Sequence, residues 1–209
     1  MDLKSAATLI GILKDAIVGS AAIVTAAVAL WGVNSWTREL RGRTEFDAAL
    51  ALMRAAYKLR EELFASRSPL ISSAEYPEGS PLREGLRADT NERWKAHAFL
   101  FNERTAGVRA ALSEFDTRTL ESEAILGQAV RDAVEPLRGN AFTLFAAIDA
   151  YMGNIASDGE DFKANQEFGR QIRSEVFGTR NAKDNKLSSS ILSSVQQLEA
   201  FAAPHLRRK

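Results

Sequence analysis

The sequence has no cysteine. That excludes disulfides, thiolate metal sites and cysteine nucleophiles, and it leaves the compartment open. Only two histidines occur, too few for a histidine-rich metal centre, although carboxylate sites stay possible. Neither sign of charge is in excess: 27 lysines and arginines balance 27 aspartates and glutamates over 209 residues. The chain therefore lacks the basic excess with which proteins grip nucleic acid. No internal repeat or low-complexity tract is present, and no segment alternates with period two for long enough to argue a strand. Nothing calls for a cofactor. Prolines number five, and three of them (Pro69, Pro77 and Pro81) fall within one stretch.

What the chain does have is an uncharged run from Ala16 to Val33, AIVGSAAIVTAAVALWGV. Trp31 and Trp36 mark its downstream edge, and Arg38, Arg41 and Arg43 follow. This order predicts a membrane-spanning helix over 16–33 with an interfacial aromatic belt and a positive cytoplasmic flank. Eighteen residues rise roughly 27 Å, just short of a hydrocarbon thickness of about 30 Å. Seven strongly apolar residues, Ile17, Val18, Ile23, Val24, Val28, Leu30 and Val33, sum to roughly −2 to −4 kcal/mol on the insertion scale. The span is marginal.

Extending it upstream would enclose Lys14 and Asp15, each costing about 2.5 to 3.5 kcal/mol at mid-membrane. Residues 1–15 are therefore expected outside or at the outer interface, with Lys14 snorkelling and Leu9–Leu13 along the surface. In the competing arrangement, Lys14 and Asp15 pair or face a wet lumen inside an oligomer. Ala22, Ala26 and Ala29 share one helical face beside Thr25, and such small residues let membrane helices approach closely. A homo-oligomer is the expectation. Ala27-Val28-Ala29 fits a signal-peptide cleavage site. Against cleavage, the apolar run continues to Val33, and Asp2 and Asp15 stand where a basic leader is expected. The basic flank Arg38, Arg41 and Arg43, set against Lys4 and Lys14, puts the N-terminus outside and residues 34–209 in the cytoplasm.

Those residues read as helical almost throughout. Phe46, Ala49, Leu50, Met53, Ala56, Tyr57, Leu63 and Phe64 give amphipathic spacing over Ser35–Ala65, with Gly42 as the weak point. Residues 66–89 carry the three clustered prolines plus Gly79 and Gly85, which predicts a long crossover loop packing partly through Leu70, Ile71 and Tyr76. Trp94, Ala98, Phe101, Thr105, Val108, Leu112 and Phe115 form a heptad-like seam. A helix through Ile125–Val134 is expected to end near Pro136–Gly139. The next carries Phe142, Phe145, Ile148 and Met152. After Asp158-Gly159, Phe162, Phe168, Ile172 and Val176 continue at helical spacing to Gly178. The last helix carries Leu187, Ile191, Val195, Leu198 and Ala202, stopped by Pro204. The fold class is all-α: one N-terminal transmembrane helix leading into a cytosolic antiparallel bundle of about five helices.

The one constellation with catalytic character is Arg93 and His97, four apart on a helix. HEPN ribonucleases use an arginine and a histidine from one helix face, in a pocket between paired protomers. The resemblance implies His97 as acid–base and Arg93 as phosphate stabiliser. That family usually places four to six residues between the two, whereas three stand here and Trp94 follows the arginine; a helix-surface pair beside the core seam is the competing reading. Asp158, Glu160 and Asp161 lack calcium-loop spacing. The terminal His205-Leu206-Arg207-Arg208-Lys209 could touch anionic lipid.

The strings W-x-x-E-L-R-G-R-T-E-F from Trp36, A-Y-K-L-R-E-E-L and R-S-P-L-I-S-S-A-E to Glu75 resemble a group of uncharacterised bacterial single-pass membrane proteins. The resemblance implies a bacterial inner-membrane protein with a cytosolic helical domain. In layout, a short anchor before a HEPN-like domain is similar to the membrane-pore accessory protein of one RNA-targeting CRISPR class, an architectural analogy only. The expected partners are the lipid bilayer, further copies of the chain and a cytosolic protein; nucleic acid enters only in the ribonuclease alternative. The expected function is partner binding or gating at the membrane, as in an antiphage or stress effector that perturbs it. A membrane-tethered HEPN-like ribonuclease and a passive scaffold are the alternatives.

Overall fold

A computed structural model describes the backbone of residues 3–181 and 185–207, and the side chains among them other than 3–13, 15–17 and 22. It is all-helical, with six α-helices and no strand among the described residues. They are α1 (Leu3–Ser66), α2 (Thr90–Leu126), α3 (Ala129–Ala156), α4 (Glu160–Ala164), α5 (Gln166–Val176) and α6 (Lys186–Leu206). The chain divides into two units, Met1–Thr44 and Glu45–Lys209.

The first unit holds the upstream part of α1, whose backbone is helical from Leu3 and continues through Lys14, Asp15 and Gly42. Gly42 neither breaks the helix nor prompts a new cap, because the Thr44 hydroxyl donates back to the Leu40 carbonyl at 3.0 Å. Every described side chain from Val18 to Thr44 is exposed.

The second unit is a bundle. From Glu45 onward α1 becomes one-sided, burying Leu52, Leu59 and Leu63 completely. It runs antiparallel to α2: Ser122 Oγ donates to the Ala48 carbonyl at 3.2 Å, whereas ten residues further along α1, Lys58 Nζ reaches Glu114 Oε2 at 2.7 Å. The α2–α3 pair is antiparallel by the same test, since Phe101 meets Tyr151 and Asp116 meets Arg138. On α6, Leu187, Ile191, Val195, Leu198 and Ala202 are all buried, as their spacing predicts. Asn140 and Ser194 are buried with them. Asn140 Nδ2 donates to Ser194 Oγ at 3.0 Å, and Ser190 Oγ donates to Asn140 Oδ1 at 2.8 Å, which ties α3 to α6.

Several expectations are corrected. The helix boundary lies at Gly127, not at Pro136–Gly139. Gly127 takes φ +89°, and α2 ends there. Pro136 sits inside α3 on an exposed position, so the carbonyl it leaves without a helix donor faces water. Pro204 likewise lies exposed within the last turn of α6, which continues to Leu206. The α2 seam holds from Phe101 to Phe115, but upstream it rotates: Ala96 and Leu100 are buried, while Trp94 is 42% exposed. Phe142 is exposed as well. In the crossover, Ile71 and Tyr76 pack on the core, but Leu70 is 81% exposed.

Candidate functional site

Two surfaces stand out, one in each unit. In the first, α1 is long and apolar enough to cross a membrane, judged by length and composition, and its apolar window is unburied. Trp31 and Trp36 are exposed at the downstream edge. Arg38 and Arg41 are exposed and have no carboxylate partner among the described residues, while Arg43 Nη2 pairs with Glu39 Oε1 at 2.9 Å. Within the run, the Thr25 hydroxyl donates to the Ala21 carbonyl at 2.8 Å, so the helix satisfies that polar group internally. Ala26, Ala29 and Lys14 are exposed. The Asp15 and Ala22 side chains lie outside the described residues, as do Arg208 and Lys209.

In the second unit, the capping box of Asp89 and Glu92 starts α2 and so fixes where Arg93 and His97 point. Asp89 Oδ1 accepts from the Glu92 amide at 2.8 Å, and Glu92 Oε2 accepts from the Asp89 amide at 3.1 Å. One turn on, Arg93 Nη2 donates to Thr90 Oγ1 at 3.2 Å and to Asp158 Oδ1. This pair lowers the Asp158 carboxyl below the usual aspartate range and joins α2 to the turn after α3. Asp158 itself adopts φ +54° there.

His97 points elsewhere. Its Nδ1 lies 2.9 Å from the Arg93 carbonyl, which can only accept, so Nδ1 carries the proton. Nε2 faces the Tyr76 hydroxyl at 3.5 Å. The ring sits among Tyr76, Phe101 and Tyr151, with centroids 5.5, 6.4 and 6.5 Å away. Burial raises the phenols of Tyr76 and Tyr151 above their ordinary value. Both imidazole nitrogens thus have partners within the chain, and the arrangement pins the crossover loop to α2 and α3.

A groove of about 300 Å³ opens between α2 and α3. Trp94, Phe145, Ile148 and Met152 supply apolar walls, while Arg109 and Asp149 supply one charge of each sign. Among the described residues, no group of three histidine, aspartate or glutamate side chains is placed to hold a metal ion.

No protein-family model, curated protein or solved structure matches the chain.

Sequence reasoning missed two arginine clamps. Arg104 donates from Nε to Glu75 Oε2, from Nη1 to the Ser68 carbonyl and from Nη2 to the Leu70 carbonyl, each at 2.6 Å. It thereby fastens the crossover loop, and it holds the Glu75 carboxyl below the usual glutamate range. Arg67 is fully buried and donates to the Glu175 carbonyl at 2.8 Å, the Ser174 carbonyl at 3.1 Å, Asn185 Oδ1 at 2.9 Å and Ser188 Oγ at 3.0 Å. The pattern D-x-x-E at Asp89–Glu92 was a readable signal for the start of α2. The groove had a fainter one: Trp94 on a seam that departs from the buried face.

Proposed function

We propose that the chain is a single-pass protein of the bacterial inner membrane, a homo-oligomer with its N-terminus outside and its helical bundle in the cytoplasm. The bundle binds a partner or gates an assembly at the membrane, and an antiphage or stress effector that perturbs the membrane is the specific form favoured. The observation that carries this reading is the exposed, apolar stretch of α1 that ends at Trp31, Trp36 and an arginine flank. A soluble protein rarely leaves so continuous an apolar surface uncovered. Small residues at Ala26 and Ala29 favour copies packing together within lipid. The resemblance over Trp36–Glu75 supports the same location. Nothing in the placement of Arg93 and His97 favours hydrolysis over packing.

The test uses the absence of native cysteine. After expression in a bacterial host, the protein stays in the membrane pellet through carbonate extraction. Val24→Arg adds about 2.5 to 3.5 kcal/mol at mid-membrane, matching the whole insertion energy of the run, and so releases it. A single cysteine at Ser5 reacts with an impermeant maleimide in intact cells, whereas one at Leu70 reacts only after lysis. Release of the unsubstituted protein by carbonate would overturn the membrane reading. Reversed labelling would overturn the orientation, and a monomeric mass in detergent would remove the oligomer.

A further inference from the structure

The groove between α2 and α3 is the surface of the bundle with an unanswered composition. Its apolar walls include Trp94, 42% exposed, with Phe145 and Met152 half-buried beside Ile148. Its charges are Arg109 and Asp149, and neither forms an ion pair among the described residues. Arg109 is nonetheless held in place: Nη1 donates to Thr105 Oγ1 at 2.7 Å, and Nη2 donates to the Asn102 carbonyl at 3.0 Å and Asn102 Oδ1 at 2.9 Å. Those acceptors are neutral, so the guanidinium is aimed but its charge is unanswered. Asp149 is exposed and has no partner among the described residues.

The register of the two helices places these charges relative to each other. Phe101 lies at the level of Tyr151, and Asp116 at the level of Arg138. Arg109 therefore falls four to six residues along α3 from Asp149, roughly 6 to 9 Å apart along the axis at 1.5 Å per residue. A surface bearing one cation and one anion about a turn apart is complementary to itself. A two-fold axis between them sets Arg109 of one copy against Asp149 of the other, twice, as an isologous interface requires.

We infer that the α2–α3 groove is the face through which two copies of this chain pair, with Arg109 and Asp149 exchanged across the axis and the Trp94–Met152 walls buried between them. The inference rests on the homo-oligomer reading above only for the reason that copies meet: anchoring in one bilayer raises their effective concentration. It adds a contact made by the bundle to one made by the span.

The test is cross-linking of the full chain in native membranes, using single cysteines. Ala106 is exposed, next to Arg109 on α2 and close to the proposed axis. Ala106→Cys joins two copies through a short bismaleimide, and Ala29→Cys reports separately on the span. Arg109→Asp sets like charges face to face and lowers the Ala106→Cys dimer at least tenfold, and Asp149→Arg does the same. The double variant restores it. Co-expression of the two single variants under different tags also restores it, now as a mixed dimer, because each then meets its opposite charge. Failure of both rescues overturns the exchange of charges. Cross-linking at Ala29→Cys without any at Ala106→Cys overturns the groove interface and leaves the membrane oligomer standing. Carbonate release of all variants overturns the membrane reading instead. A groove that captures a different protein while its copies stay uncross-linked also overturns the pairing.

Discussion

Replacing Arg67 tests how the bundle closes. Arg67 is a fully buried cation with no carboxylate among its acceptors. Burial pulls its pKa well below the ordinary guanidinium range, to about 10, a penalty on the order of 3 kcal/mol. Against that stand four hydrogen bonds from a charged donor, each worth roughly 1.5 to 3 kcal/mol. The clamp is therefore net stabilising. Arg67→Met keeps the apolar stem and removes both the charge and its desolvation. Not every acceptor is then stranded: the Ser174 carbonyl keeps Asn185 Nδ2 at 2.6 Å, and Asn185 Oδ1 keeps the Ser188 amide at 2.9 Å. The Glu175 carbonyl, near the end of α5, loses its donor. The expected cost is about 2 to 4 kcal/mol. Thermal unfolding of the full chain in detergent micelles, followed by far-ultraviolet circular dichroism, should show Tm lower by roughly 5 to 15 °C. Gly178→Ala gives an independent handle, because a Cβ there would meet Arg67 Nη2 at 2.5 Å and Asn185 Nδ2 at 2.9 Å. Its cost should shrink in the Arg67→Met background, where the nearer of the two clashing groups is gone and only Asn185 remains. Arg67→Lys adds a pH signature. A lysine buried at this position has its folded-state pKa depressed, so the unfolded chain binds more protons and stability rises with pH in the alkaline range. An Arg67→Met protein as stable as the unsubstituted one would refute the reasoning.

Arg104→Ala should free the crossover loop, so that proteolysis within residues 66–89 speeds up at least tenfold while the core helices stay protected. Because Arg104 depresses the Glu75 carboxyl, that protection is present above the ordinary glutamate range and is lost as pH falls through the lowered value. Loop cleavage in the unsubstituted protein should therefore rise below about pH 4, and in Arg104→Ala that rise should be smaller, because only the bond from the Ser72 amide to Glu75 is then left to lose. Asn140→Ala removes the buried side chain that links Ser194 in the core to Ser190 at its edge and should cost about 1 to 3 kcal/mol, read as a lower urea midpoint with an unchanged slope.

The α6 register was legible because its apolar residues at three-four spacing are separated mostly by serine and glutamine; all five expected core positions are buried. The crossover was legible because proline and glycine mark it locally. The boundary between α2 and α3 was not. Pro136 and Gly139 look like stronger breakers than Gly127, but an exposed proline leaves its orphaned carbonyl to water and the helix continues. Arg67 was invisible for another reason. Its acceptors lie 107 to 121 residues downstream, so no local pattern sets it apart from any other basic residue in a loop. His97 shows the same limit: its spacing from Arg93 could be read, but the partners that occupy its nitrogens come from other segments.

The change of pattern within α1 bears most on function. Downstream of Thr44 its apolar residues are one-sided and buried against neighbours. Upstream, Val18, Ile23, Val24, Val28, Leu30 and Val33 are spread around the helix, and all are exposed. A helix that is apolar all round has no polar face to turn to water, so its surroundings must be apolar on every side. Lipid supplies such surroundings, and under the membrane reading proposed above the gain is only about 2 to 4 kcal/mol. An anchor that weak is held better as one of several, because each further contact between copies shifts the equilibrium toward the inserted state by mass action. Weakening the contacts between copies should therefore loosen membrane retention as well. Substitutions at Ala26 or Ala29 that separate the helices would increase carbonate release even though they add apolar bulk, an outcome opposite to the one expected if each span inserted alone.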